Sequence, residues 1–361
     1  MRRRSALSAW LSSGTVSLAL LAQGCGEAGH GGQIGTSGFA GTSGASGSSG
    51  SVAGGNSGLG GEAGASGSAG SSCYTQRVEP SRIALDGTTG CAIDSAGLAR
   101  CWGAKASASS PSVPMSILLE ISAQVGVYVG VDGTHKPVFW GEGALPTGPV
   151  PAGTVDQVTV NGSLACAVGS CGALSCWPSG SKLGTAMAPA GNFSQVAAGA
   201  SHVCAIGDSG TVQCWGDNTY GQINAPTGAF VSVVSGREHS CAVASDGHVE
   251  CWGAGSKLPD DADVNLGQAI PPAGTFKSLA AGDFHTCGVR DDATAACWGL
   301  GTTMGDCAGK AECGQAAPPG DKFRQIASGG HSNTCGIRLD GSIACWGSNT
   351  GGRSTPPTDF K

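Results

Sequence analysis

The residues with the most chemical potential in this 361-residue chain are 17 cysteines and seven histidines. Cysteine and histidine together are zinc ligands, and structural zinc sites hold their cysteines in pairs about two to four residues apart. The spacing here is different. Cys91 and Cys101, Cys166 and Cys176, Cys204 and Cys214, Cys241 and Cys251, Cys287 and Cys297, and Cys335 and Cys345 all share a ten-residue offset. Pairs at that offset, spread along the chain, favour disulfides over metal. Cys307 and Cys313 lie inside a long intervening segment and are expected to staple it, which leaves Cys73 and Cys171 to pair by exhaustion.

His202, His239 and His285 each stand two residues before a cysteine, and His331 stands four before. An arc of imidazoles could bind a metal ion. The alternative is that each hydrogen-bonds its own tight turn after Gly199, Gly236, Gly282 or Gly329. Acidic residues gather in two segments: Asp260, Asp261 and Asp263 beside the neutral Asn265, then Asp306 and Glu312 with Lys310. They offer oxygen ligands of the kind calcium needs, but lack the glycine and distant glutamate of a calcium-binding loop. No serine-nucleophile elbow, phosphate loop, zinc-protease helix or carboxylate pair stands out. The expectation is therefore a non-enzyme with no catalytic residue, cofactor or bound metal. A carbohydrate-active enzyme is the alternative, and it would require acidic or histidine residues converging on one face.

The cysteine pairs belong to a larger repeat. Each second cysteine is followed by tryptophan: Trp102, Trp177, Trp215, Trp252, Trp298 and Trp346. A seventh copy, around Val129 and Phe139-Trp140, has apolar residues at both cysteine positions, as expected of two positions that touch. The seven tryptophans are spaced by 38, 37, 38, 37, 46 and 48 residues. The last two intervals contain insertions, 254–270 and 300–320.

Within one unit, Cys204, Ile206, Val212 and Cys214 alternate with other residues, which is the period of a strand. Asp208-Ser209-Gly210 between them fits a three-residue hairpin loop with glycine in the left-handed third position. Gly97, Gly172, Gly247 and Gly341 recur at that place. The units around Val129 and Cys287 lack it, so their turns are expected to differ. A further short strand precedes each hairpin, as in Phe193–Gly199 and Phe323–Gly329, giving about three strands per unit. One such sheet cannot bury both faces, and radial stacking of seven does. The expected fold is all-β: a seven-bladed β-propeller of about three strands per blade, over residues 73–361, following a disordered tether.

That tether and the residues before it set the compartment. Arg2, Arg3 and Arg4 precede a moderately apolar stretch, Ala6 to Ala22, which reads as a signal peptide over 1–24. The stretch ends at Leu21-Ala22-Gln23-Gly24-Cys25, which resembles the lipobox of bacterial lipoproteins, although leucine stands one position too early. The resemblance implies lipidation at Cys25. Residues 25–72 are nearly all Gly, Ser, Ala and Thr and cannot bury a core. As a flexible coil they would span about 40 Å. Only 12% of residues are charged, against roughly 25% in ordinary proteins. The net charge of -6 disfavours nucleic acid. No later stretch is apolar and long enough for a membrane helix. The expected location is the bacterial cell envelope, with a lipid anchor on the outer membrane, or the medium; the expected state is a monomer.

Gly199 to Gln222 reads Gly-x-x-His-x-Cys-Ala-Ile, then Gly-x-Val-x-Cys-Trp-Gly-Asp-Asn-x-Tyr-Gly-Gln. This unit resembles the repeat of the regulator of chromosome condensation family, in its bacterial secreted branch with short three-stranded repeats. The resemblance runs from about residue 78 to 361 and is strongest in the last four units; Pro178 departs from it by replacing the glycine after Trp177. It implies a seven-bladed propeller, a structural role for the histidines, and a connecting turn at Asp217, Asn218, Tyr220 and Gln222. It implies little about activity, because propellers host unrelated functions. The functional expectation is a scaffold that binds an extracytoplasmic protein or glycan, with the two insertions as binding loops. An inhibitor of an extracellular enzyme and a purely structural envelope protein are roles the same fold could also fill.

Overall fold

A computed structural model describes residues 79–103, 113–143, 153–161, 164–177, 188–256, 266–302, 314–330 and 332–360. All fall in one compact unit, Ser68–Lys361. The signal peptide, Cys25, the 25–72 segment, Cys73, Cys307, Cys313 and His331 lie outside the described residues, as do Asp260, Asp261, Asp263, Asn265, Asp306, Lys310 and Glu312.

The described chain forms seven three-stranded antiparallel sheets, each taking its strands in sequence order. The blades are β1 (Ile83–Leu85), β2 (Thr89–Ile93), β3 (Ala99–Gly103); β4 (Leu118–Gln124), β5 (Val127–Asp132), β6 (Pro137–Gly141); β7 (Val155–Asn161), β8 (Leu164–Gly169), β9 (Leu174–Trp177); β10 (Phe193–Ala198), β11 (His202–Gly207), β12 (Val212–Gly216); β13 (Phe230–Ser235), β14 (His239–Ala244), β15 (Val249–Gly253); β16 (Phe276–Ala281), β17 (His285–Arg290), β18 (Ala295–Gly299); and β19 (Phe323–Gly329), β20 (Asn333–Arg338), β21 (Ile343–Gly347). First strands pack on first strands around the ring, and β1 meets β19, so the seven blades close as a propeller with β1, β4, β7, β10, β13, β16 and β19 innermost.

Each core lies at a seam between blades. Cys204 and Cys214 of the fourth blade pack with Phe230, Val233 and Trp252 of the fifth. Cys241 and Cys251 do the same under Trp298, and Cys287 and Cys297 under Trp346. The adjacency of cysteine and tryptophan follows: one side chain of the pair faces the blade ahead and the other the blade behind. In register, Cys204 lies opposite Cys214, and the six ten-residue pairs are bonded with Cα atoms 4.0 to 4.1 Å apart. Cys171 is also disulfide-bonded. In the second blade Val129 lies opposite Phe139. The Phe139 ring meets Trp177 edge-on at 5.9 Å, filling the space a disulfide takes elsewhere.

Two expectations about turns are corrected. The hairpins at Val129 and Cys287 lack the third-position glycine but keep the same turn. His135 (φ 61°) and Ala293 (φ 69°) adopt the left-handed conformation that Gly97, Gly172, Gly210, Gly247 and Gly341 adopt in the other blades. The reason is a shared tertiary bond. The third-position carbonyl accepts the first N–H of the next inner strand, as in Phe230 to Gly210, Val155 to His135 and Phe323 to Ala293, all at 2.8 to 2.9 Å.

The ring closes through the residues after Trp346. In the fifth blade, the Trp252 indole N–H donates to the Gln222 carbonyl of the preceding connector (2.8 Å). Trp346 does the same to Gln315 (2.9 Å) and Trp102 to Arg353 (2.9 Å). Arg353 stands seven residues after Trp346, as Gln222 stands seven after Trp215. The chain end thus serves the first blade as a connector, and Phe360 joins the core of Ile83, Leu85 and Trp102.

Candidate binding surface

Inner strands of all seven blades line a central channel of about 520 Å³. At one mouth six of these strands carry a bulge near their start. A bulge sets two residues against one and re-aims a side chain. The residues inserted are Leu119, Asp156, Ser194, Val231, Lys277 and Arg324, between partners such as Phe193 and Gln195. Their chemistry differs from blade to blade while the frame repeats. Leu119, Val231, Lys277 and Arg324 are exposed, and Leu119, Asp156 and Ser194 line the channel. Exposed Met115 (88%) and Ile117 (57%) extend the apolar part beside Leu119. The hairpin tips lie at this same end, since they bond the starts of the inner strands.

The insertions leave at the opposite end. Third strands run away from the hairpin turns, so Ser256, Leu266, Thr302 and Gly314, which bound the undescribed parts of 254–270 and 300–320, belong to the connector face. The described flanks are fixed. Gln222, Gln268 and Gln315 are buried at 0%, 1% and 0% exposure, each after a glycine of positive φ. Asp217 accepts from Thr219 Oγ1 (2.8 Å) and Gln222 Nε2 (2.8 Å), and these bonds hold its carboxyl below its ordinary range. Asn218 donates to Asn224 (3.0 Å), and the Tyr220 N–H to Gln222 Oε1 (2.8 Å). This motif is the turn that seals the next tryptophan.

The histidines are corrected in part. His202, His239 and His285 are fully buried with their rings against Gly199, Gly236 and Gly282, where a Cβ would lie 2.2 to 2.4 Å from Cε1. Their hydrogen bonds cross to the next blade instead of closing their own turns: His202 to Ser240 (2.7 Å), His239 to Thr286 (2.8 Å) and His285 to Thr334 (2.9 Å). The glycine before each ring makes room for it, and the hydroxyl lies 38, 47 and 49 residues ahead in sequence. Burial lowers the pKa of His202 to about 4 and that of His239 to about 3. No group of three His, Cys, Asp or Glu among the described residues could hold a metal ion. Asn333 occupies the histidine position of the seventh blade, and the matching residue ahead is Gly90, which has no hydroxyl. Both amide atoms of Asn333 are buried without a partner.

One cluster is not evident from the sequence. Glu120, 5% exposed, lies in the channel wall and accepts the Val158 N–H. Burial pushes its carboxyl well above the usual range, and the charge of Asp156 adds to this. Asp156 Oδ1 lies 3.0 Å from His135 Nδ1. The signal was present but faint: Leu118-Leu119-Glu120 is the counterpart of Phe193-Ser194-Gln195 without its phenylalanine.

These features define a class: a closed seven-bladed propeller whose repeated frame sets varied side chains around one mouth. Residues 193–222, 230–257 and 276–303 match the regulator of chromosome condensation (RCC1) repeat, so the fourth, fifth and sixth blades are repeats of that type. No curated protein matches the sequence. Among solved structures, the chain is similar to the CRINKLY WD40 ectodomain of the Arabidopsis thaliana receptor kinase ACR4 (24% identity, 77% of this chain and 98% of that one, TM-score 0.61). It is also similar to the ectodomain of the Physcomitrella patens receptor kinase CR4 (24%, 74% and 73%, TM-score 0.60) and to human WBSCR16 (15%, 71% and 86%, TM-score 0.54). These likenesses show the propeller fold.

Proposed function

We propose that the protein is a non-enzymatic binding scaffold, exported and lipid-anchored at Cys25 after removal of residues 1–24, with residues 25–72 holding the 73–361 propeller off the membrane. The observation that carries this reading is the mouth of the channel. A frame stapled by six disulfides repeats from blade to blade, yet the residues the bulges insert differ: Leu119, Val231, Lys277 and Arg324 are exposed, and Asp156 and Ser194 are half-buried. Rigid scaffolds carrying varied exposed side chains are where binding concentrates. The disulfides fit an oxidising compartment, and no helix among the described residues is long and apolar enough to cross a membrane. The partner is an extracytoplasmic protein or a glycan.

The test is a comparison of captured species. Immobilised propeller is exposed to envelope extracts and to a glycan array, beside a Leu119→Arg/Val231→Arg variant and a variant with the acids of 260–263, 306 and 312 changed to Ser. Loss of one and the same captured species in the first variant supports binding at the mouth, and loss only in the second assigns it to the insertions. Metabolic lipid labelling that disappears in Cys25→Ala supports the anchor. A second reading, a carbohydrate-active enzyme, is favoured by Glu120, Asp156 and His135 lining the channel together. Hydrolysis of a glycan by wild type but not by Asp156→Asn would establish it.

A further inference from the structure

Neighbouring inner strands are joined by an amide clamp. Gln157 Oε1 accepts the Val196 N–H of the next blade (2.8 Å), and its Nε2 donates to the Val196 carbonyl (2.9 Å). Gln195 accepts from Val233 N–H (2.7 Å). At the closing seam Gln325 accepts from Arg82 N–H (2.8 Å) and donates to the Pro80 carbonyl (3.1 Å). Glu120 holds the same register: it pairs with Val131 just after the bulge, as Gln157 pairs with Val168 and Gln195 with Ile206. Its carboxyl receives the Val158 N–H of the third blade, as Gln157 receives Val196.

A carboxylic acid can accept and donate like an amide, whereas a carboxylate can only accept. The bonds Glu120 accepts from the Val158 N–H and the Gln157 side chain favour the carboxylate; its burial opposes them and is the larger effect. A charge in this wall also loses its hydration, and burying an ion costs more than burying the neutral acid. We propose that Glu120 is a proton-controlled clamp between the second and third blades: as the neutral acid it holds the next inner strand as Gln157, Gln195 and Gln325 do, and as the carboxylate it loosens that hold.

The seam depends on this clamp more than the others do. The second blade has Val129 and Phe139 in place of a disulfide. Val127 stands where later blades have the histidine that bonds across, and Ala165 where they have its hydroxyl partner. Four strands pack on β4, namely β1, β2, β5 and β7; β2 carries no charged residue, and the charged groups near Glu120 come with the other three. Before β1, Arg82 is committed to the Asp94 carbonyl (2.6 Å). At the end of β5, Asp132 is held by Thr134 (2.7 Å), and His135 follows in the turn. Asp156 enters at the start of β7 and lies against His135. Tyr128 of β5 donates its hydroxyl to the Thr89 carbonyl (2.7 Å). Among the described residues, Asp156 is the carboxylate whose charge raises Glu120.

The experiment compares full-chain protein with Glu120→Gln by urea unfolding across about pH 4 to about pH 9. Glu120 gives stability that is present at low pH and is lost as pH rises through its raised folded value. The two proteins should therefore match in acid, with the variant gaining on wild type as pH rises. Hydrogen exchange locates the effect. At the alkaline end Val158 N–H should exchange at least about tenfold more slowly in the variant, once intrinsic rates are removed. Asp156→Asn should shift the midpoint of the difference downward without abolishing it. Parallel stability curves, a variant less stable than wild type at neutral pH, or equal protection of Val158 in the two proteins would overturn the proposal.

Discussion

A left-handed backbone costs an L-residue about 1–2 kcal/mol. At Ala293 (φ 69°) no side-chain bond offsets this, and the turn is kept because Phe323 N–H needs the Ala293 carbonyl. Glycine would relieve the strain at a cost of about 0.5–1 kcal/mol in unfolded-chain entropy. Ala293→Gly should thus stabilise the protein by about 0.5 kcal/mol, read as a higher urea midpoint with an unchanged slope. The same change at His135 (φ 61°) relieves the same strain but removes the ring that meets Asp156 at 3.0 Å. It should gain less than Ala293→Gly, and the difference between the two measures what the His135 side chain contributes.

At the scale of an element, the second blade tests why cysteine and tryptophan travel together. Its Val129 and Phe139 stand opposite each other where every other blade has a disulfide, and Phe139 fills the space under Trp177. Val129→Cys with Phe139→Cys should form a seventh bridge, visible by non-reduced peptide mapping. It should add little stability: such a bridge contributes roughly 2–3 kcal/mol, and loss of the partly buried Phe139 ring offsets much of this, full burial setting an upper bound of about 3–5 kcal/mol on that loss. Val129→Cys/Phe139→Ala, which leaves the cavity and forms no bridge, should be less stable than the double cysteine. This replacement was legible in the sequence because both positions change together at an unchanged offset. The propeller was legible for the same reason, through seven tryptophans at nearly constant spacing. The turns at His135 and Ala293 were not, because a carbonyl needed by the next blade imposes them and local residue preference does not. Nor were the histidine partners, since Ser240, Thr286 and Thr334 are set by register between blades. Glu120 was hidden because its role shows only when the inner strands are laid side by side.

At the scale of the whole ring, the seams are unequal, and their titrating groups pull in opposite directions. The seams following the fourth and fifth blades carry buried His202 and His239, whose pKa values burial lowers from 6.5 to about 4 and about 3. The unfolded chain takes up these protons first as pH falls, so folded stability is full above about pH 6.5 and is lost towards the lowered values. Two such groups give a slope of about 2.7 kcal/mol per pH unit where both are protonated only in the unfolded chain. The seam following the second blade carries Glu120, raised above 4.5, whose contribution is full in acid and is lost as pH rises. The stability curve should accordingly be a dome with separable limbs. His239→Gln, whose amide can still meet Thr286, should shallow the acid limb and leave the neutral limb in place. Glu120→Gln should flatten the neutral limb and leave the acid limb in place. Because the two seams are separate and share no partner, the double variant should show the sum of the two changes. A double variant whose curve departs from that sum would mean that the ring couples its seams, and that loosening one blade contact is felt across the closed propeller.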